Sequence, residues 1–406
     1  MATGNRRFAV YLAAALVPLV LSGCGLGEGT GGRDERVAWF LAQHEDLKAR
    51  YFVGKFGVDS HPSGWDAGAY LRAYVDLYEA TGDPGVLGKL NELLKIVADG
   101  NDALTGRIDE RTGRVLPGWG TRAYDYGPEG GARYSDMLTN ALYAYPLAAF
   151  VRIVSERPSL ALAFGADAER YERMVRELYR AHDPFTRDGR SPYPDGAEGA
   201  YFAYPEHYFE DREDLSGMEA PVNLSAIIAE PLVELYRAAV AAGEVDEAGR
   251  GVVERVGHYL WWNMRVRRTA EDEGYLVWYY WPAAPASRIR MEDLTHGARV
   301  AGFAVALHDA GLASRWTEDR LRLLANTLTC GAYLGEHAFA NYVDGTGGVY
   351  EDDAATLYEW LALERYSRAA SCGSIARLLR SAMEAEGEDE RYNLAVFAKF
   401  VRYGGE

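Results

Sequence analysis

Residues 65–98 read WDAGAYLRAYVDLYEATGDPGVLGKLNELLKIVA, two apolar runs of helical period split by Gly82-Asp83-Pro84. The period predicts one helix over Trp65–Thr81 and a second over Gly85–Ala98, with the proline at a helix start where its missing N–H costs nothing. The pattern recurs along the chain. Ser135–Ser155 pairs with Ala166–Ala181 across a break around Pro158, Asn223–Ala241 with Val245–Trp262, Glu292–Ala310 with Thr317–Leu328, and Asp352–Arg368 with Ser374–Glu384. Several first helices end alike: Leu77-Tyr78-Glu79-Ala80-Thr81-Gly82, Leu235-Tyr236-Arg237-Ala238-Ala239 and Leu307-His308-Asp309-Ala310-Gly311. This is a weak internal repeat of helical hairpins, and hairpins of that kind bury their faces only by stacking on neighbours, as an open solenoid or a closed ring. The N-terminal helix Asp34–Lys48 and the C-terminal helix Tyr392–Tyr403 supply a sixth pair that closes the ring. The expected fold is all-α, an (α/α)6-like toroid occupying residues 34–406 as a single domain.

Turns within each hairpin are short, whereas Gly100–Tyr134, His182–Val222, Met264–Met291 and Gly331–Glu351 are long connections between hairpins. With helices alternating in direction, these loops gather at one end, beside the N-termini of the first helices. Long loops on a rigid scaffold are where function concentrates. They are rich in aromatic residues, among them Trp119, Tyr124, Tyr126, Tyr193, Tyr201, Tyr204, Tyr208, Phe209 and the run Tyr275 to Trp281.

The N-terminus carries a separate signal. Arg6-Arg7, the apolar run Phe8–Leu21 and Leu21-Ser22-Gly23-Cys24 form a charged segment, a hydrophobic segment too short to span comfortably, and small residues before a cysteine. These residues match the bacterial lipobox. The resemblance implies a signal peptide over residues 1–23, diacylation of Cys24, and export to a membrane-anchored position at the cell surface or periplasmic side. An ordinary secretory signal is the alternative, and it keeps the export. Residues 24–33 then form the lipidated cysteine and a glycine-rich tether. Losing Arg6 and Arg7, with no acid among residues 1–23, moves the formal charge from −17 to −19. Nucleic acid is excluded as a partner by that balance. Cys330 and Cys372 fit buried thiols or a disulfide equally, no Cys/His spacing marks a zinc site, and no cofactor is implied.

The chemistry-bearing stretch is Glu292-Asp293-Leu294-Thr295-His296-Gly297-Ala298-Arg299. His296 shares a stripe with Val300, Phe303 and Leu307, which places it on the inward face near the first turn of a helix. Glu292 at i−4 and Asp293 at i−3 are placed to fix its tautomer, and Arg299 follows at i+3. The same pattern also fits an acid-capped helix with one buried histidine. The preceding segment, Gly274 to Pro282, reads as a strand or extended loop in which Trp278, Tyr279, Tyr280 and Trp281 make either a sugar-stacking platform or a hydrophobic plug. Asn223 opens the third pair as a site residue or a helix N-cap. His207 sits in a loop among aromatics and acids, as a ligand contact or a surface histidine. Asp66, Tyr134, Asp136, Asp352 and Asp353 stand at first-helix starts, as cleft groups or caps. Arg122, Arg133, Arg288, Arg290 and Arg299 supply carboxylate-binding capacity. No G-x-S-x-G elbow and no H-E-x-x-H occurs.

An exported toroid with an aromatic, polar cleft resembles the six-hairpin carbohydrate-active enzymes, a group of glycoside hydrolases, polysaccharide lyases and uronate epimerases. The resemblance rests on architecture over residues 34–406 and on the stretch Glu292 to Gly297. It implies a polysaccharide or oligosaccharide substrate. A lyase needs Tyr or His as base with Asn, His or Arg stabilising the charged intermediate, roles open to Tyr280, His296, Asn223 and Arg299. Glu292 and Asp293 stand with them as candidate catalytic carboxylates. Trp119, Tyr124, Tyr134, Asp136, His207, Trp278, Tyr279 and Trp281 are candidate substrate contacts. A hydrolase instead needs two carboxylates, drawn from Asp66, Asp136, Glu292, Asp293 and Asp353. The third expectation is a surface lipoprotein that binds glycans or a partner protein without catalysis.

Overall fold

The computed structural model describes residues 33–56, 61–122, 131–188, 197–204, 217–282, 290–312, 315–367, 373–389 and 393–404. The chain is mostly helical, as its periodicity predicts. Cys24 and the segment before it that is read as a signal peptide, with Tyr124, His207, Arg288 and Cys372, lie outside the described residues.

Helices α1 (Arg33–Ala42) and α2 (His44–Tyr51) precede the first hairpin, α3 (His61–Thr81) and α4 (Pro84–Asp99). Asp83 caps α4 by accepting the Gly85 N–H at 2.7 Å, with Pro84 at the first helical position. A one-turn helix α5 (Asp102–Thr105) follows, then α6 (Met137–Glu156) and α7 (Ala161–His182). Strands β1 (Phe185–Asp188) and β2 (Gly199–Phe202) lead to α8 (Val222–Ala241) and α9 (Glu247–Trp262). Strands β3 (Met264–Arg268) and β4 (Gly274–Trp278) lead to α10 (Leu294–Asp309) and α11 (Glu318–Asn326). Then come β5 (Tyr333–Gly335), β6 (Ala338–Phe339), α12 (Glu364–Ser367), α13 (Ile375–Ala385) and α14 (Leu394–Tyr403). Each strand pair is an antiparallel hairpin within a connection between helical pairs.

Three of the expected helices are broken or change their winding. Asp34–Lys48 is broken at Gln43 into α1 and α2. Asp352–Arg368 winds as a 3-10 helix over Ala354–Leu363 before α12, held by packing, since Leu357, Trp360, Leu361 and Leu363 are buried and the Trp360 indole donates to Leu294 O at 2.8 Å. The end of α11 loosens into a π-helix, Thr327–Ala332, where the Thr327 hydroxyl donates to Leu276 O (2.8 Å) and accepts the Leu276 N–H (3.1 Å), tying this turn to β4.

Helix α3 packs on α6 and α14, α6 on α8, α8 on α10, α10 on the 3-10 helix, and the 3-10 helix on α14. Helices α4, α7 and α9 lie against α3, α6 and α8, and α13 against the 3-10 helix. Helix α1 reaches α14 through Trp39 and Phe40 on Phe397 (ring centroids 4.7 and 6.4 Å). Helix α6 is long and apolar enough to cross a membrane, but it is buried on every side within the fold.

Charged side chains stand between the helices that pack on one another. Arg72 of α3 meets Glu230 of α8 through both nitrogens (2.8 and 2.5 Å) and lies 3.6 Å above the Tyr145 ring of α6. Arg152 of α6 bonds Glu234, Glu79 (2.7 Å) and Glu156 (2.8 Å). Asp76 of α3 takes Lys399 (3.1 Å) and Arg402 (2.6 Å) from α14, and Arg299 of α10 takes Glu359 (2.5 Å). Such pairs contribute little net stability, because burying each charge costs about what the pairing returns, but an orphaned partner is expensive. Cys330 is disulfide-bonded.

Candidate active site

The site grows from a short stack of extended backbone. Segment 278–280 pairs antiparallel with 290–292: Tyr280 N–H donates to Arg290 O and Glu292 N–H to Trp278 O, both at 3.0 Å. On its other side Glu292 O accepts the Val343 N–H (3.0 Å), and Leu294 N–H reaches Asn341 O (3.1 Å). Glu292 therefore belongs to an extended segment, not to the first turn of the helix expected to begin with it. The helix starts one residue after Asp293, because Asp293 is its N-cap: extended at φ −80°, ψ 161°, it accepts the His296 backbone N–H at 3.0 Å.

The same carboxylate holds the histidine ring, with His296 Nδ1 standing 2.8 and 2.7 Å from its two oxygens. An ionised carboxylate only accepts, so Nδ1 carries the proton and Nε2 is left with its lone pair or a second proton. Burial works against the Asp293 charge, but the hydrogen bonds and charge of His296, with Arg290, outweigh it and hold the pKa below the ordinary value. Glu292 is fully buried. Its Oε2 accepts the Trp278 indole N–H (3.0 Å), its Oε1 has no partner among the described residues, and burial together with the Asp293 charge raises its pKa well above the usual carboxylate range.

The Tyr280 ring meets His296 edge-on, centroids 5.2 Å apart, and carries the Arg290 guanidinium 4.5 Å above it. Burial, with the Glu292 charge, pushes its phenol above the ordinary value. Tyr280 O also accepts the Val222 N–H (3.0 Å), which brings the start of α8 and Asn223 to this place. Asn223 is buried and its Oδ1 has no hydrogen-bond partner among the described residues. Arg299, one turn along α10, is committed to Glu359 and lies 6.0 Å from the Trp65 ring. Beside Trp65, Asp66 has no hydrogen-bonding partner among the described residues, and burial raises its pKa to about 6.

The remaining candidates are spread out and occupied. Trp119 is buried with its indole N–H on Val97 O (2.8 Å) and its ring on Tyr143. Tyr134 is buried beneath Arg111 (3.8 Å), and Asp136 caps α6 by accepting from Thr139 N and Oγ1 (2.8 Å each). Trp281 donates to Glu219 O and packs edge-on against Tyr204 (5.8 Å), while Tyr279 is half-buried with Arg265 5.9 Å from its ring. Arg133 is buried on Asp102 (2.6 Å), and Arg122 bonds Glu110 (2.8 Å). Two residues of the site have no role assigned from the sequence: Thr295, bonded to the Tyr350 hydroxyl, and Tyr350, whose hydroxyl also meets Thr356 at 2.7 Å. Both depend on the loop before the 3-10 helix folding back over α10, which local pattern does not encode.

No protein-family model matches this chain, and no curated protein is significantly similar to it.

Proposed function

We propose that the chain is an exported carbohydrate-active enzyme that cleaves a uronate polysaccharide by β-elimination, on an (α/α)6-like toroid. The carrying observation is the Asp293–His296 dyad with Tyr280 edge-on to the imidazole. The toroid is supported by the succession of packed helices from α3 through α6, α8, α10 and the 3-10 helix to α14 and back to α3. Export and a lipid tether at Cys24 are supported by the lipobox residues and by the disulfide at Cys330, a bond typical of oxidising compartments.

In this reading His296 Nε2 removes the proton next to the uronate carboxylate, with Asp293 holding the ring and stabilising the imidazolium. The C–O bond at the neighbouring carbon breaks, a C=C bond forms, and Tyr280, kept protonated by its surroundings, gives its proton to the departing oxygen. Asn223 stabilises the carboxylate as its charge spreads, whereas Arg299 is committed to Glu359 and takes no direct part. One observation favours hydrolysis instead: Asp66, titrating at about 6 and unbonded, has the properties of a general acid. The third reading is a surface protein that binds glycans or a partner protein without cleaving.

A panel of uronate and neutral polysaccharides separates these readings. Unsaturated, ultraviolet-absorbing product that disappears in His296→Ala selects the lyase. New reducing ends without unsaturation select the hydrolase. If neither product forms and His296→Ala binds glycan as the wild type does, both cleavage readings fall.

A further inference from the structure

Glu292, Asp293 and His296 each offer one ligand atom, two carboxylate oxygens and an imidazole nitrogen, and all three atoms lie within 4.8 Å of one another. Around one zinc ion, with bonds of about 2.0–2.2 Å, tetrahedral ligand atoms stand roughly 3.4 Å apart. The backbone beneath is already held, at Glu292 by Trp278 and Val343 and at Asp293 by its role as cap.

Glu292 supplies a second, separate sign. It is 0% exposed, and its Oε1 is buried with no hydrogen-bond partner among the described residues. A buried carboxyl oxygen without a partner is costly whether or not it carries the proton, and native folds rarely keep one without an unseen partner. Asn223 Oδ1 is a further buried oxygen without a donor, at the helix start whose Val222 N–H is bonded to Tyr280 O.

We propose that Glu292, Asp293 and His296 form a binding site for a divalent first-row cation, Zn2+ foremost. Imidazole with carboxylates suits zinc or manganese better than calcium or magnesium, which favour all-oxygen shells. The ion takes the place of the proton between His296 Nδ1 and Asp293. With Nδ1 occupied, the neutral ring carries its proton on Nε2 and donates there instead of accepting. The loaded site therefore has no base at His296, and zinc switches the elimination off. That consequence rests on the catalytic reading above; the binding itself does not.

A second cluster, His44, Glu45 and Glu92, has comparable geometry. There Glu45 is exposed, and Lys48 and Lys89 both pair with Glu92, so two ammonium groups already fill the role of a cation.

The test uses the full chain stripped with EDTA and titrated with Zn2+ by calorimetry in the absence of saccharide, with bound zinc counted by mass spectrometry after desalting. One equivalent binds. Glu292→Gln and His296→Gln each weaken it by at least about tenfold, and Glu92→Gln does not. Glu292→Gln keeps a carbonyl oxygen for the Trp278 N–H, so unchanged helical circular dichroism excludes misfolding as the cause. Absence of saturable binding overturns the proposal, as does binding that survives Glu292→Gln and vanishes in Glu92→Gln. Zinc bound as described, with no polysaccharide cleaved, upholds the site and sinks the catalytic reading alone.

Discussion

Replacing Arg72 by Met removes a buried cation while keeping most of its apolar stem. Glu230 then loses the only ion-pair partner it has among the described residues, two contacts of 2.8 and 2.5 Å, while staying 7% exposed. Tyr145 loses the guanidinium 3.6 Å above its ring, and Glu359 keeps Arg299. The dominant cost is the uncompensated Glu230 carboxylate, about 3–5 kcal/mol for breaking a buried pair from one side. Guanidinium denaturation followed by circular dichroism reads this as a lower midpoint at unchanged slope. Adding Glu230→Gln to Arg72→Met removes the stranded charge, and the double variant recovers to within about 1.5 kcal/mol of the wild type. A single-variant loss below about 1 kcal/mol, typical of exposed pairs, refutes the reasoning. So does a double variant whose loss is the sum of its parts.

Asp293→Ala loses the cap of α10 and destabilises the fold by about 0.5–2 kcal/mol, whereas Asp293→Asn keeps the cap and nearly the full melting temperature; equal losses would show that the cap is not what Asp293 contributes. On whichever polymer is cleaved, both substitutions lower the rate by about 100-fold or more, since neither leaves an anion on Nδ1. Asp66 titrates at about 6 in the folded chain, above its ordinary value, so the folded state holds the proton longer and stability falls as pH rises towards 6. Asp66→Asn therefore melts higher than wild type at pH 7–8, and the gap closes as pH falls below the ordinary carboxylate range; a gap independent of pH would exclude the burial explanation.

The helices were legible because their apolar residues repeat at the helical period, and the break at Gly82-Asp83-Pro84 carries turn and cap chemistry that acts locally, whereas the cap at Asp293 fell inside the expected helix Glu292–Ala310. Asp293 and His296 were legible together for the same reason: a spacing of three on one helix start is a local fact. Tyr280 reaches them only through backbone pairing across the Met264–Met291 connection, and Tyr350 through another loop, so neither contact has a signal in spacing. Aromatic content was the least informative sign. Trp119, Tyr134 and Trp278 are as apolar as a sugar platform requires, yet each is buried in the interior, because composition does not distinguish a ring facing a cleft from one facing a core. The interior charges did leave a trace that pattern reading passed over: Glu230, Glu234 and Arg237 recur at helical spacing inside an otherwise apolar α8, and Arg72, Asp76 and Glu79 do so in α3.

Those interior charges also set how the protein responds to heat. Hydration of ions weakens on warming, so the penalty for keeping Arg72, Arg152, Asp76 and Glu359 out of water shrinks as temperature rises, while the gain from apolar burial levels off. Helices joined across their packed faces by paired charges keep their grip best in warm water, where a purely oily interior of the same volume has no further advantage to draw on.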